Sequence, residues 1–252
     1  MNPRKASIAD IFTMVNALVG FLAITYVVDG LFGLASLLLF VAVLLDGLDG
    51  ALARKFGTKH EFGRYLDFFA DSVSFCFAPA TLMYTVTYDV SRGSAWVSWE
   101  NTLAVSVPTF YVCTGLIRLA RFAEQGYQKP NFEGLPTPGA AFLVLAVFLL
   151  LDNMASEEFG SRIPLLAVMA LAGSLMLTSL RYPKLRGGLT VLATAGILLM
   201  VAASILSLSS GQYADYTSLF ALIGVALIAA YILLGPFYSS RKEKETKSRS
   251  MD

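Results

Sequence analysis

Eight long apolar stretches divide this chain of 252 residues, and they limit its possible folds more than any other feature. Most are close to the roughly 20 residues that an α-helix needs to cross the hydrocarbon layer of a membrane. The composition agrees, since 56% of the residues are hydrophobic, only 15% are charged and the mean hydropathy is +0.64. We therefore predict an all-α integral membrane protein, a bundle of about eight transmembrane helices. The expected spans are residues 11–28, 31–53, 65–87, 103–122, 139–151, 163–180, 189–208 and 218–237.

The basic residues fall on one side of this predicted bundle. Loops rich in Lys and Arg stay cytoplasmic, and eight spans place 17 of the 19 basic residues on the same side, all except Arg92 and Arg162. The 17 are Arg4, Lys5, Arg54, Lys55, Lys59, Arg64, Arg118, Arg121, Lys129, Arg181, Lys184, Arg186, Arg241, Lys242, Lys244, Lys247 and Arg249. We therefore expect a multi-pass protein of the cell membrane with both termini in the cytoplasm. The net charge of +1 adds little, and we expect no nucleic-acid partner.

The chain is expected to form one membrane domain followed by a short tail. No small-residue cleavage site follows the first apolar stretch, which predicts a retained anchor and not a removable signal peptide. Residues 1–238 would form the membrane domain. Residues 239–252 are charged and contain no apolar residue except Met251, so we expect a disordered cytoplasmic tail.

Four aspartates lie in or beside the second and third apolar stretches. Ionisable groups at membrane depth are costly and persist mainly where they have a function. Asp46 and Asp49 are three residues apart, and Asp67 and Asp71 are four apart, so each pair projects from one face of a helix. Two helices joined by a short polar loop can therefore point four carboxylates at one another.

The residue types at this site favour a hard metal ion. Oxygen ligands suit Mg²⁺, Mn²⁺ or Ca²⁺ better than zinc, and no Cys or His is in reach except the loop residue His60. Four negative charges match two such ions. A pair of divalent ions bridged by carboxylates can hold the attacking and the leaving oxygen at a phosphorus atom. The pattern therefore predicts phosphoryl chemistry at the cytoplasmic membrane surface.

Small residues stand among the acids. Gly47, Gly50 and Ala53 in the second stretch, and Gly63 at the start of the third, leave space for a ligand. Arg54 could meet a phosphate or balance the acidic charge. Taken singly, each small residue is better explained by close helix packing, but the joint spacing favours a ligand site.

The spacing of these residues resembles the signature of a known family, the CDP-alcohol phosphatidyltransferases, which is D-x2-D-G-x2-A-R-x8-G-x3-D-x3-D. Every fixed position and every gap is matched in this chain. The matching residues are Asp46, Asp49, Gly50, Ala53, Arg54, Gly63, Asp67 and Asp71. In members of this family a CDP-activated lipid gives its phosphatidyl group to an alcohol, and CMP departs.

The resemblance also implies roles for the aspartates. It implies that Asp46, Asp49 and Asp67 bind metal, and that Asp71 shares the second metal and acts as the catalytic base. The residues alone leave base and pure ligand about equal for Asp71, because a carboxylate that touches a metal has a lowered proton affinity. The implied cofactors are two divalent cations, Mg²⁺ or Mn²⁺, with Ca²⁺ as a non-native occupant.

The nucleotide is implied to lie along the small-residue face, near Gly50, Ala53, Arg54 and Gly63. Asn16 joins this group because the opening T-M-V-N, with a glycine one turn on, is similar to the first helix of the family. The resemblance further implies a homodimer surrounded by membrane lipids. The lipid substrate stays open between CDP-diacylglycerol and CDP-archaeol, because generic apolar residues line a groove for either.

Two further motifs concern the acceptor alcohol. The run R-L-A-R-F at residues 118–122 and the loop F-x-G-L-P-x-P at residues 132–138 are similar to the phosphatidylserine synthase branch, which also has about eight spans. A serine zwitterion needs a cation for its carboxylate and an acceptor for its ammonium group. Arg118, Arg121 and Glu133 are the candidates for these roles, and L-serine is the expected acceptor.

Several alternatives stay open from the sequence. Arg118 and Arg121 can also be flanking charges that fix topology, and residues 134–138 can be only a rigid turn into the fifth span. Glycerol 3-phosphate or inositol phosphate is another acceptor, although a phosphate would want a denser basic pocket. A cation transporter is a different class, in which the buried acids form an ion path. Against it, the four acids cluster near one face, and no charge lies well inside the last four spans.

Overall fold

The chain folds into a helical bundle in the computed structural model, which describes residues 8–56, 61–92, 98–125, 131–152, 162–183, 188–208 and 214–249. The helices are α1 (Ile8–Val28), α2 (Phe32–Phe56), α3 (Glu61–Asp71), α4 (Ala78–Thr87), α5 (Trp99–Gln125), α6 (Thr137–Asp152), α7 (Ile163–Leu177), α8 (Gly188–Ser207) and α9 (Ala214–Arg249). A π-helical turn over Ser72–Phe77 joins α3 and α4 into one continuous rod. A 3-10 turn follows at Val90–Arg92.

Counting α3, the π turn and α4 as one rod, the described residues contain eight apolar helical rods, and each corresponds to one of the eight stretches expected from the sequence. The prediction of an all-α membrane fold is confirmed at this level. Five are long and apolar enough to cross a membrane: Asp10–Val28, Phe62–Thr87, Trp99–Glu124, Thr190–Ser207 and Tyr216–Ser239. Three are shorter over their apolar part: Phe32–Leu48, Thr137–Leu151 and Ile163–Leu177. The number of crossings and the cytoplasmic position of both termini therefore stay predictions.

Helix α6 lies at the centre of the bundle. Every residue from Ala140 to Leu149 is at least nine-tenths buried, and α6 packs against α2, α7 and α9, among others. A helix that is hydrophobic on all sides is buried either among other helices or in lipid, and the burial of α6 within the protein shows that other helices surround it. The short apolar stretch at residues 139–151 is therefore the core of the bundle.

The outer helices expose apolar side chains. Leu18 and Phe21 on α1, and Leu222, Leu233 and Phe237 on α9, are each half exposed or more. In water such faces would be unstable, whereas against lipid tails they cost nothing. This surface agrees with a protein that lies within a membrane.

A short antiparallel ribbon ties two loops together. Strand β1 (Asn131–Glu133) pairs with β2 (Arg181–Pro183), with Phe132 opposite Tyr182 and Glu133 opposite Arg181. The sequence analysis did not predict these strands, because three residues carry too little periodicity to reveal a strand. The ribbon fixes the loop before α6 against the loop after α7.

Helix α9 ends at Arg249. Lys and Glu alternate over residues 242–245 and are good helix formers, which agrees with this end point. The expectation of a disordered tail over residues 239–252 stays a prediction. The boundary of the membrane domain at residue 238 stays a prediction.

Candidate active site

Three of the four predicted aspartates come together between α2 and α3. Asp46 on α2, and Asp67 and Asp71 on α3, each contribute a carboxylate oxygen, and these three oxygens lie within 4.8 Å of one another. Asp71 is only 6% exposed, and the other two are partly buried. The expected spacing of four residues puts Asp67 and Asp71 on the same face of α3.

Three carboxylates at this separation repel one another unless positive charge lies between or beside them. Their oxygens are hard ligands, close enough to share a divalent cation of the size of Mg²⁺ or Mn²⁺. The donor set therefore fits the metal that the sequence predicts. This arrangement is suited to holding an anionic substrate through a cation.

For the other residues of the signature, the structure gives the position on a helix but not, in every case, the side chain. Gly50 lies on α2 one turn after Asp46, and Gly63 lies on α3 one turn before Asp67. The side chains of Asp49, Ala53 and Arg54 lie outside the described residues, although their backbone belongs to α2. Their predicted roles stay predictions.

The helix changes its winding directly after Asp71. In the π turn Ser72–Phe77 the Ala78 N–H bonds to the carbonyl oxygen of Val73, five residues earlier. Tyr111 on α5, which is fully buried, donates its hydroxyl to the Phe75 carbonyl oxygen at 3.0 Å. π turns in helices often accompany functional sites, and this one is held in place by a side chain from another helix.

Helix α1 packs closely against the same turn. The Ser74 hydroxyl donates to the backbone carbonyl of Asn16 at 2.9 Å. A Cβ at Gly20 would collide with the Ser74 side chain and lie 2.8 Å from its Cα, so only glycine allows this approach. The Asn16 side chain is fully buried, and neither its Nδ2 nor its Oδ1 has a hydrogen-bond partner among the described residues. Buried amides are normally hydrogen-bonded, so the Asn16 carboxamide can accept and donate to a ligand or an ordered water.

Arg118 brings positive charge to the carboxylates. It is 6% exposed, and the charges of Asp71 and Asp46 act on its guanidinium. Its Nη1 donates to Thr137 Oγ1 at 3.1 Å, and its Cζ lies 5.4 Å from the centre of the Phe122 ring. A buried guanidinium near carboxylates is a group that can bind an anion.

Comparison with known proteins bears on what this site does. The family model for CDP-alcohol phosphatidyltransferases matches residues 6–234, which is nearly the whole chain. The chain belongs to the CDP-alcohol phosphatidyltransferase family. The resemblance drawn from the signature is therefore confirmed, and this protein is an enzyme of that family. Membership also removes the ground for a cation transporter.

Individual relatives of this CDP-alcohol phosphatidyltransferase are similar over most of their length. The archaetidylserine synthase of Methanothermobacter thermautotrophicus is 33% identical over 193 residues, 74% of this chain and 76% of the relative. The CDP-diacylglycerol–serine O-phosphatidyltransferase of Helicobacter pylori is 32% identical over 180 residues, 70% and 72%. The protein of the same name from Methanocaldococcus jannaschii is 34% identical over 178 residues, 71% and 74%.

The three acceptor candidates of this CDP-alcohol phosphatidyltransferase differ in their positions. Arg118 is buried beside the carboxylates, whereas Arg121 is exposed. Glu133 is exposed on β1, directly opposite Arg181 of β2, where two opposite charges favour the ribbon. Arg118 therefore has the strongest structural support as an acceptor ligand, and the roles of the other two stay predictions.

The loop of residues 134–138 is tied by its backbone to the segment around the end of α7, and whether it is only a turn or also serves the acceptor site stays open. Gly134 has a φ of +74°, its N–H bonds to the Leu180 carbonyl at 2.8 Å, and a Cβ there would collide with the carbonyl oxygen of Met176. The Leu135 N–H bonds to the Leu175 carbonyl at 3.1 Å. These contacts fix the start of α6 against the end of α7.

Several residues around this site are not apparent from the sequence. Tyr111 and Thr137 are ordinary in type, and no spacing singles them out. Tyr231 on α9 is within the electrostatic influence of Arg118. The Tyr231 hydroxyl donates to the Pro183 carbonyl at 3.1 Å. Its ring stacks on Tyr182 with centroids 5.6 Å apart. These contacts join segments far apart in the chain, so no local pattern could reveal them.

Proposed function

We propose that this enzyme transfers the phosphatidyl or archaetidyl group of a CDP-activated lipid to the hydroxyl of L-serine and releases CMP. The single observation that carries the acceptor is the buried Arg118, whose guanidinium is within the electrostatic influence of Asp71 and Asp46. The names of the similar proteins support serine, since the relatives described above are archaetidylserine or CDP-diacylglycerol–serine enzymes. Both lipid classes occur among these names, so CDP-archaeol and CDP-diacylglycerol are both candidate donors.

In this proposal the guanidinium of Arg118 binds the serine carboxylate. Arg and carboxylate form two parallel hydrogen bonds, which fix both the position and the orientation of the amino acid. The serine hydroxyl can then be directed toward Asp71. Acceptors that carry a phosphate are less well supported, because the similar proteins described above are named for serine.

Asp46, Asp67 and Asp71 would hold divalent cations, with Asp49 as a further ligand. Mg²⁺ and Mn²⁺ both accept oxygen ligands of this kind. When bound, two such ions would neutralise the pyrophosphate and the charge that develops on the leaving group. The oxygen cluster of the three described aspartates supports this role.

Asp71 is proposed to accept the proton of the serine hydroxyl. The serine oxygen then attacks the phosphorus that carries the lipid. The bond from this phosphorus to the bridging pyrophosphate oxygen breaks, and CMP leaves with the electron pair. Most of the rate enhancement would come from holding the serine oxygen in line with the leaving group.

The cytidine nucleotide is proposed to lie between α1 and α2. The Asn16 carboxamide offers a donor and an acceptor that no described residue uses. Gly50, Ala53, Arg54 and Gly63 would line the rest of this face. The excess of basic residues on one side supports a cytoplasmic active site, and a homodimer is proposed from the family resemblance.

The test is an assay of the purified protein with CDP-diacylglycerol or CDP-archaeol, labelled serine and Mg²⁺ or Mn²⁺. We expect labelled lipid and CMP in equal amounts, both lost with a chelator and restored by the metal. Metal-dependent CMP release only with another alcohol would overturn the serine assignment. No metal-dependent release with serine, glycerol 3-phosphate or inositol phosphate would overturn the proposed reaction.

A further inference from the structure

The guanidinium of Arg118 is held by a buried hydrogen bond. One nitrogen, Nη1, donates to Thr137 Oγ1 at 3.1 Å, and both residues are buried. The negative charges of Asp71 and Asp46 also act on this guanidinium. The Thr137 hydroxyl is therefore one of the contacts that set the direction of the guanidinium in this charged environment.

Thr137 is itself fixed in position. It is the first residue of α6 and is fully buried. Two residues of its loop are bonded to backbone near the end of α7: the Gly134 N–H to the Leu180 carbonyl just after the helix, and the Leu135 N–H to the Leu175 carbonyl in its last turn. The rigid turn therefore presents the Thr137 hydroxyl to Arg118 at a set place.

We propose that Thr137 is a positioning residue that holds Arg118 in the orientation needed to bind the carboxylate of the acceptor. This inference rests on the proposed function, in which Arg118 binds serine. It gives the loop of residues 132–138 a specific task, because the loop places one hydroxyl against one guanidinium. Thr137 thereby contributes to the choice of an acceptor that carries a carboxylate.

The physical reason lies in the shape of arginine. Its donors form a planar fork, and a carboxylate uses two of them only when the plane is correctly turned. Without the Thr137 oxygen, the guanidinium loses a buried hydrogen-bond acceptor, whereas the attraction of Asp71 and Asp46 remains. The guanidinium would then turn toward the aspartates and away from the amino acid.

The main test compares three variants by steady-state kinetics. Thr137→Val keeps the shape and removes the acceptor oxygen, whereas Thr137→Ser keeps the oxygen. Thr109→Val is the matched control, because Thr109 is exposed on α5 and, among the described residues, its hydroxyl donates within its own helix to the Val105 carbonyl. We expect the KM for serine to rise on the order of tenfold in Thr137→Val. In Thr137→Ser and in the control, the KM for serine should stay within about threefold of the wild-type value. The KM for CDP-lipid should stay within about threefold of the wild-type value in every variant.

A double-mutant cycle separates positioning from packing. If Thr137 acts through Arg118, adding Thr137→Val to Arg118→Gln should raise the serine KM little beyond the effect of Arg118→Gln alone. An additive rise would overturn the inference. So would an unchanged serine KM in Thr137→Val, or an equal loss in Thr137→Ser, which would mean that the residue only fills space.

Metal-dependent CMP binding by each purified variant checks that it is folded. If Thr137→Val does not bind CMP, Thr137→Ala removes the same oxygen without adding a methyl group in its place and is judged by the same criteria. If the wild-type enzyme uses serine but the serine KM of these variants is unchanged, this inference alone is overturned. A wild-type enzyme that does not use serine would overturn the proposed function as well.

Discussion

The Ser74 hydroxyl donates to the backbone carbonyl of Asn16 at 2.9 Å, and this bond joins α1 to the turn that follows Asp71. The same asparagine presents a buried carboxamide without a hydrogen-bond partner among the described residues. Its backbone therefore serves the fold, while its side chain is available to a ligand. The two functions can be separated by substitution.

Asn16→Ala should weaken CMP binding on the order of tenfold, because a buried hydrogen bond to the nucleotide is lost. Its thermal stability should change little, since the carboxamide bonds no described residue. CMP titration by calorimetry, with Mn²⁺ present, together with thermal unfolding measures both effects.

A second buried asparagine provides the matched control for this prediction. Asn101 donates to the Asp89 carbonyl at 2.7 Å and accepts from the Asp89 N–H at 3.0 Å. Asn101→Ala should therefore lower the stability by about 1 to 3 kcal/mol and leave CMP affinity unchanged. Equal CMP affinity in Asn16→Ala and wild type would contradict a nucleotide role for Asn16.

Tyr111→Phe should destabilise the protein by about 1 kcal/mol, because the Phe75 carbonyl in the π turn loses a buried donor. The measurement is thermal unfolding of the detergent-solubilised protein, monitored by the fraction of protein that stays in solution as the temperature rises. Tyr84→Phe is the control, since Tyr84 is 40% exposed and its ring contact with Tyr88 survives the change. If both variants melt alike, the Tyr111 hydroxyl does not support the turn.

Gly134→Ala should cost more stability than Gly30→Ala. Both glycines have a φ of +74°, but a Cβ at Gly30 meets nothing within 4 Å, whereas at Gly134 it collides with the backbone of Met176. The strain of φ alone is about 1 kcal/mol, and the collision should add about 1 to 3 kcal/mol. Thermal unfolding of both variants decides this, and equal losses would show that the loop can move away from α7.

Much of the fold follows from local sequence. The length of each apolar stretch predicts its helix, and the spacing of Asp67 and Asp71 predicts their common face. The position of Arg118 beside Asp71 is a different matter. It depends on how α5 packs against α3, which the helical period does not encode. The sequence motif therefore makes Arg118 and Arg121 equal candidates, whereas in the structure Arg118 is buried and Arg121 is exposed.

The π turn and the ribbon show the same limit. The winding at residues 72–77 is supported by Tyr111 from another helix, and β1 pairs with a strand about 50 residues later in the chain. Both depend on a partner that is distant in sequence. Thr137 was passed over for this reason, because its importance comes only from the residue it contacts.

Asp71→Asn should abolish turnover and keep measurable binding of CDP-lipid, since it removes the proposed base and leaves the other metal ligands. Asp46→Asn should lose metal affinity as well as turnover. Turnover and Mn²⁺ binding, measured on the same purified samples, separate the two effects. Activity at the wild-type level in either variant would refute the role given to that aspartate.

The central claim is that the aspartates of α2 and α3 hold divalent metal, and a structure of the wild-type protein with Mn²⁺ and CMP, recorded with anomalous scattering, tests it most directly. We predict anomalous peaks within about 2.0 to 2.6 Å of carboxylate oxygens of Asp46, Asp67 and Asp71. Well-ordered side chains at these three positions with no peak between them would contradict the claim.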